Sequence, residues 1–167
     1  MTRFYTRYYL LLIILLTLGV VAASFYFEYI QGLNPCPLCL MQRVCTILIF
    51  VTAITGLVVE NRECIFRSCL SLQAVFAAFG VFFSGRQLWL QWLPPEQSTV
   101  CLPGFKMIVH YLPWKEVVRT LFLGAGDCAE ISWRWLGLTM PAWALLYFLS
   151  ILILTGWCIY IRFQECV

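Results

Sequence analysis

Tyr8–Phe27 reads YYLLLIILLTLGVVAASFYF, 20 residues without a charge between Arg7 and Glu28. A helix rising about 1.5 Å per residue covers the roughly 30 Å hydrocarbon core of a bilayer in 20 residues. Three more charge-free stretches follow: Val44–Val59 with 16 residues, Ser68–Gly85 with 18 and Trp135–Ile161 with 27. A charge at mid-bilayer costs a few kcal/mol at least, so such gaps mark membrane spans. Over the whole 167-residue chain 62% of residues are hydrophobic and 11% charged. Soluble domains carry about a quarter charged residues, and disordered chains are poor in the aliphatic and aromatic residues abundant here. The mean hydropathy of +0.87 agrees with a membrane protein. The net charge is +3 with the basic residues scattered, which argues against a nucleic-acid partner.

The expected fold is an all-α integral membrane protein, one domain over 1–167. Its four transmembrane helices are expected near 8–27, 44–59, 68–85 and 141–161. Pro141 fits the first turn of the last helix, where its missing N–H is not needed. The second and third stretches are short, and flanking charges such as Arg43 and Arg86 would snorkel to the interface. Tyr8, Tyr9, Tyr26, Tyr29, Trp89, Trp92, Trp133, Trp135 and Trp143 cluster near the proposed ends as an aromatic belt. Arg3 and Arg7 before the first helix favour cytoplasmic termini. A cleavable signal peptide is the rival reading of the first stretch, but its apolar run exceeds the usual core of about 7–15 residues. This topology leaves a short outer loop near 28–42 and a long one near 86–140. After Pro113, the residues Trp114, Val117, Val118, Leu121 and Phe122 fall at helical spacing, opposite Lys115, Glu116 and Arg119, and Gly124 follows as a stop. This amphipathic helix is expected on the membrane surface or packed over the outer mouth of the bundle.

The topology sorts the nine cysteines. Cys36, Cys39, Cys101 and Cys128 fall outside, where disulfides persist. Cys45 and Cys158 lie within helices, and Cys64, Cys69 and Cys166 at or beyond the inner boundary. Cys36-Pro37-Leu38-Cys39 is a Cys-x-x-Cys pair able to interconvert between dithiol and disulfide. It precedes the second helix, whose positive N-terminal dipole favours a thiolate. Arg43, four residues after Cys39, lies one turn on along the same face and adds positive charge. A c-type haem would need His where Leu40 stands. A zinc site could recruit Cys101 and Cys128, but they are 27 residues apart and form no second Cys-x-x-Cys. Two structural disulfides clamping the loops is the stronger rival.

A protein that makes disulfides must send two electrons elsewhere. No Gly-x-Gly-x-x-Gly is present, and His110 is the one histidine, so neither a dinucleotide fold nor a bis-histidine haem is indicated. A lipid-soluble quinone fits what remains. Arg43 could donate hydrogen bonds to its carbonyl, although a snorkelling anchor would explain the same residue.

At this point the sequence resembles the disulfide bond formation protein B family. The matching residues are Asn34-Pro35-Cys36-Pro37-Leu38-Cys39 with Gln42-Arg43, then Gly85-Arg86-Gln87-Leu88-Trp89-Leu90-Gln91. Gly126-Asp127-Cys128-Ala129-Glu130 and Leu136-Gly137-Leu138-Thr139-Met140-Pro141-Ala142-Trp143 complete the set. The resemblance implies an inner-membrane enzyme that reoxidises a periplasmic thioredoxin-like dithiol oxidase and reduces ubiquinone or menaquinone. It places Cys101 as the residue that receives the partner's thiolate. Cys128 would pass electrons through Cys36 to Cys39, beside Arg43 and the quinone. Family members often carry a His just after the third helix. Trp92 takes that place here, so Arg86 and Trp92 become the expected companions of the quinone. A vitamin K epoxide reductase-like enzyme fits the second loop poorly. Outside the enzymes, a four-helix scaffold with structural disulfides would need no Arg43 beside Cys-x-x-Cys. A small transporter would keep an ionisable side chain mid-membrane.

Overall fold

The computed structural model describes residues 2–32, 35–93, 113–124, 128 and 133–164. Cys101, Lys106 and His110 lie outside the described residues. In chain order the elements are α1 (Thr2–Tyr29), α2 (Pro37–Val58), α3 (Glu63–Trp92), α4 (Trp114–Leu123), β1 (Arg134–Trp135), β2 (Leu138–Thr139) and α5 (Met140–Gln164). Among the described residues four helices are long and apolar enough to cross a membrane: Thr6–Tyr29, Pro37–Val58, Glu63–Trp92 and Met140–Arg162. The chain is a multi-pass membrane protein.

The helices outrun the charge-free stretches. α2 begins at Pro37 rather than near Val44, and α3 runs from Glu63 to Trp92 instead of stopping at Gly85. A charge ends contact with hydrocarbon, but it does not end a helix. At 1.5 Å per residue the 30 residues of α3 span about 45 Å, enough for the core and both interfacial layers. The long loop therefore starts after Trp92, beyond the expected residue 86.

α2 packs between α1 and α3, and α3 packs between α2 and α5, while α1 and α5 touch only lightly. The shared core holds Leu10 and Ile13 of α1, Ile49 and Ala53 of α2, Phe66, Ala77 and Phe83 of α3, and Phe148 and Ile151 of α5. Lipid tails are as apolar as leucine, so helix association depends on close packing and on polar links. Both are present. Gly80 admits the Phe148 ring so closely that an added Cβ would overlap it. Tyr9 Oη lies 2.7 Å from Thr155 Oγ1 and accepts from Gln73 Nε2 at 3.1 Å, tying α1, α5 and α3 together. Thr17, Thr46, Ser84 and Thr155 return their hydroxyls to carbonyls one turn back. Near the C-terminal end of α5, Arg162 bonds Glu63 at 3.0 Å and Thr6 at 3.3 Å over the Phe66 ring.

The opposite end, where α1 finishes and α2 begins, carries the cysteine pair and the accessory elements. α4 starts and stops where its periodicity predicts, and the N–H of Gly124 bonds Thr120 O at 2.9 Å. Its apolar face meets the bundle. Phe122 lies 5.6 Å from the Phe83 ring, and Gly124 approaches Leu38 and Leu90. Trp114, at the start of α4, stays exposed.

β1 and β2 pair antiparallel, with Arg134 opposite Thr139 and Trp135 opposite Leu138. Leu136 (φ 53°) and Gly137 (φ 79°) form the two-residue turn. Two positive φ values give the primed geometry whose twist matches a hairpin. The hairpin stacks Trp135 between Trp133 and Trp143, with ring centroids 6.5 and 5.3 Å apart, and Phe27 of α1 lies 5.0 Å from Trp133.

Gly80→Ala is expected to lower stability by about 1–3 kcal/mol, because the Phe148 ring must leave its notch. Gly85→Ala, with nothing within 4 Å of the new methyl, should leave stability unchanged or slightly raised. Thermal unfolding in detergent compares the two.

Candidate active site

Cys36 is the N-cap of α2, in an extended conformation (φ −73°, ψ 163°), and Pro37 occupies the first helical turn. Proline there gives up an N–H that has no helical partner and sets the helical φ in advance. The Cys36 sulfur takes the role usually filled by a serine or aspartate oxygen, accepting the Cys39 N–H at 3.4 Å. This brings the two sulfurs to 3.1 Å, both as free thiols. Leu38 between them is fully buried beneath Gly124.

Cys128 completes the group from the long loop. It is 1% exposed and hydrogen-bonded to Cys36. Cys36 therefore touches two sulfurs, Cys39 on its own helix and Cys128 from the loop. The Cys36 thiol is pushed far above the ordinary thiol range, first by its bond with Cys128, then by Cys39 and by burial. Chemically, this is one sulfur able to form a disulfide with either of two neighbours.

Gln87 of α3 reaches across to the pair. Its Nε2 donates to Cys39 Sγ at 3.2 Å and to Cys36 Sγ at 3.5 Å. Its Oε1 accepts from Gln42 Nε2 at 2.8 Å, which fixes the direction of the amide. Both glutamines are buried. Arg43 is held by α1: Nε donates to Ser24 Oγ at 3.0 Å, one terminal nitrogen pairs with Glu28, and the other reaches Ser24 O at 3.4 Å. The Phe25 ring lies 4.7 Å from the guanidinium carbon. Arg43 is thus neither a bare charge beside sulfur nor a loose interfacial anchor. Three of its five N–H donors are engaged, and its charge is shared with Glu28.

Because α1 and α5 barely meet, a cleft of about 530 Å³ opens between them, closed behind by α2 and α3. That volume suits a small organic ligand. Cys39, Arg43 and Gln87 stand at one end, Trp133, Trp135 and Trp143 flank it, and the walls are otherwise mostly aliphatic. Cys39 faces this cleft, whereas Cys36 is turned toward Cys128.

The structure thus brings together Cys36, Cys39, Cys128 and Arg43. Arg86 and Trp92 do not line the cleft, and Trp92 is 84% exposed. Gln87, next to Arg86 in the chain, lines the cleft beside Cys39 instead. Helical spacing carried the signal: Gln73, Ala77, Gly80, Ser84 and Gln87 recur at intervals of four and three along the buried stripe of α3, and Arg86 falls off it.

In the reduced protein, Cys36 is expected to alkylate more slowly than an ordinary thiol. With its pKa raised, the thiolate fraction stays small through pH 8, and the rate should keep climbing with pH without a plateau. Cys128→Ala removes the largest cause of the shift and should raise the Cys36 rate at pH 8. Mass spectrometry of iodoacetamide-treated protein reads each cysteine separately.

The family model described as disulfide bond formation protein DsbB matches residues 6–158. Among similar proteins, a disulfide bond formation protein B of Marinobacter nauticus is 39% identical over 151 residues, covering 90% of this chain and 89% of the relative. One from Stutzerimonas stutzeri is 37% identical over 142 residues, covering 83% and 85%. One from Acinetobacter baumannii is 39% identical over 147 residues, covering 86% of each. With a buried cysteine trio at one end of four membrane helices and these relatives along nearly its whole length, the chain belongs to the disulfide bond formation protein DsbB family, membrane thiol oxidoreductases that serve disulfide bond formation.

Proposed function

We propose that the chain reoxidises a periplasmic thioredoxin-like dithiol oxidase and delivers the electrons to a quinone in the α1–α5 cleft. The observation that carries this reading is the position of Cys36, between a loop cysteine and a cysteine that faces an apolar cavity. A periplasm is kept oxidising by an oxidase–membrane protein–quinone chain of which this family is the middle member. The thiol end then faces the periplasm of a bacterial inner membrane. With four spans, both termini share the cytoplasmic side.

The exchange balances as follows. The partner's thiolate attacks Cys101 in a Cys101–Cys128 disulfide, forming a mixed disulfide and releasing Cys128. Cys128 attacks Cys36 in the Cys36–Cys39 disulfide and frees Cys39 toward the cleft. The partner's second thiol resolves the mixed disulfide and leaves oxidised. Cys101 then recovers Cys128, and Cys36 and Cys39 re-form their bond as two electrons and two protons leave. The residues at the cleft fit a single-ring or two-ring quinone head group, which supplies a two-electron sink soluble in the bilayer. Its source, ubiquinone or menaquinone, is the membrane pool.

The protein's own groups have distinct tasks in this scheme. Gln87 steadies the Cys39 sulfur at the cleft. The two N–H donors of Arg43 not taken by Ser24 and Glu28 would hold a carbonyl oxygen of the bound ring. The tryptophans and aliphatic walls exclude water, which strengthens those contacts. A scaffold whose loop cysteines form purely structural disulfides would need neither a cavity at Cys39 nor an amide bonded to both sulfurs.

Purified protein, a reduced thioredoxin-like oxidase and decylubiquinone are expected to give quinol, followed by the loss of quinone absorbance. Cys36→Ser or Cys39→Ser should reduce the rate at least about a hundredfold, since removing a nucleophile leaves no covalent route. Cys101→Ser should form no stable mixed disulfide with the partner on non-reducing gels. Unchanged quinone reduction in Cys39→Ser would overturn the scheme.

A further inference from the structure

Tyr147 lies on α5, one turn beyond Trp143, and lines the same cleft. It is seven residues into the helix from Met140, about 10 Å deeper along its axis. Its ring meets Phe148 edge-on at 5.0 Å, and Phe148 is itself locked in the notch of Gly80. The position of Tyr147 is thus set by packing.

Its hydroxyl is buried and has no hydrogen-bond partner among the described residues. The other hydroxyl, amide and guanidinium side chains of the cleft are engaged. Gln42 and Gln87 bond each other, and Gln87 bonds Cys39. Arg43 takes Ser24 and Glu28. Thr46 returns to Gln42 O, and Ser150 donates to Tyr147 O at 2.7 Å. A phenol buried without a partner in an apolar surrounding is unfavourable, and phenylalanine would keep the ring contacts without that cost. Among the described residues the hydroxyl has no acceptor, and a ligand oxygen in the cleft would supply one.

We infer that Tyr147 donates a hydrogen bond to an oxygen of the quinone held in the cleft. This rests on the quinone reading above and adds a second polar anchor to it. Arg43 and Gln87 would hold the ligand beside Cys39, and Tyr147 would add a polar contact from α5.

The test is a titration of the purified full chain with decylubiquinone, without the partner oxidase. Trp133, Trp135 and Trp143 flank the cleft, so quenching of tryptophan fluorescence reports occupancy. Thermal unfolding of the ligand-free protein is measured in parallel. Tyr147→Phe is expected to weaken binding about two- to tenfold, the loss of one hydrogen bond. The ligand-free variant should unfold at the same temperature as the wild type or slightly higher, because the unpaired hydroxyl is gone. Equal affinity in the two proteins would overturn the inference and leave the quinone reading standing. A lower unfolding temperature for the ligand-free variant would also overturn it, since the hydroxyl would then be bonded within the protein. If the wild type shows no saturable quenching, the quinone reading fails and this inference fails with it.

Discussion

The contact on which the rest of the site depends is the one between the Cys36 sulfur and the first turn of α2. By accepting the Cys39 N–H, that sulfur caps a helix and fixes the spacing of a redox pair in the same act. It leaves Cys36 facing Cys128 and Cys39 facing the cleft. A helix start is rigid because its backbone donors must be satisfied, and in an apolar surrounding that need is stronger. The chemistry of the site thus inherits its geometry from backbone hydrogen bonding.

The second constraint is uneven packing. α2 and α3 sit at the centre of the bundle, while α1 and α5 are held to it more than to each other. The polar ties that join them, Tyr9 with Thr155 and Gln73, lie away from the Cys36–Cys39 pair along the helices. The bundle is therefore closed along part of its length and open beside Cys39. Arg43 bridges to α1 through Ser24 and Glu28 at the mouth of that opening, and the hairpin supports three tryptophans on the other side.

Much of the fold was legible before the structure. Charge is so costly in hydrocarbon that gaps between charges located all four spans. Pro113 and Gly124 bracketed α4. The spacing of Cys36, Cys39 and Arg43 pointed to the site, and Cys128 joined it. The helices run past the charge-free stretches, because the edge of the hydrocarbon does not end a helix. Gln87 rather than Arg86 lines the cleft, because the buried stripe of α3 runs through Gln73, Ala77, Gly80, Ser84 and Gln87. The hairpin turn went unseen, since leucine at a positive φ contradicts local preference and is held there by the flanking pairs.

The amino-acid sequence by itself determined the solvent of this protein, the number of its crossings and which residues could exchange electrons. Those properties follow from transfer energies and from spacing along one helix, which are local. Tertiary structure alone decided which neighbours each reactive residue meets. Gln87 is 48 residues from Cys39 in the chain, and Glu28 is 15 from Arg43. These distances close only when helices pack, because side-chain shape decides which faces meet. The cleft is the clearest case, since it exists where two helices fail to touch, and no single stretch of sequence contains it.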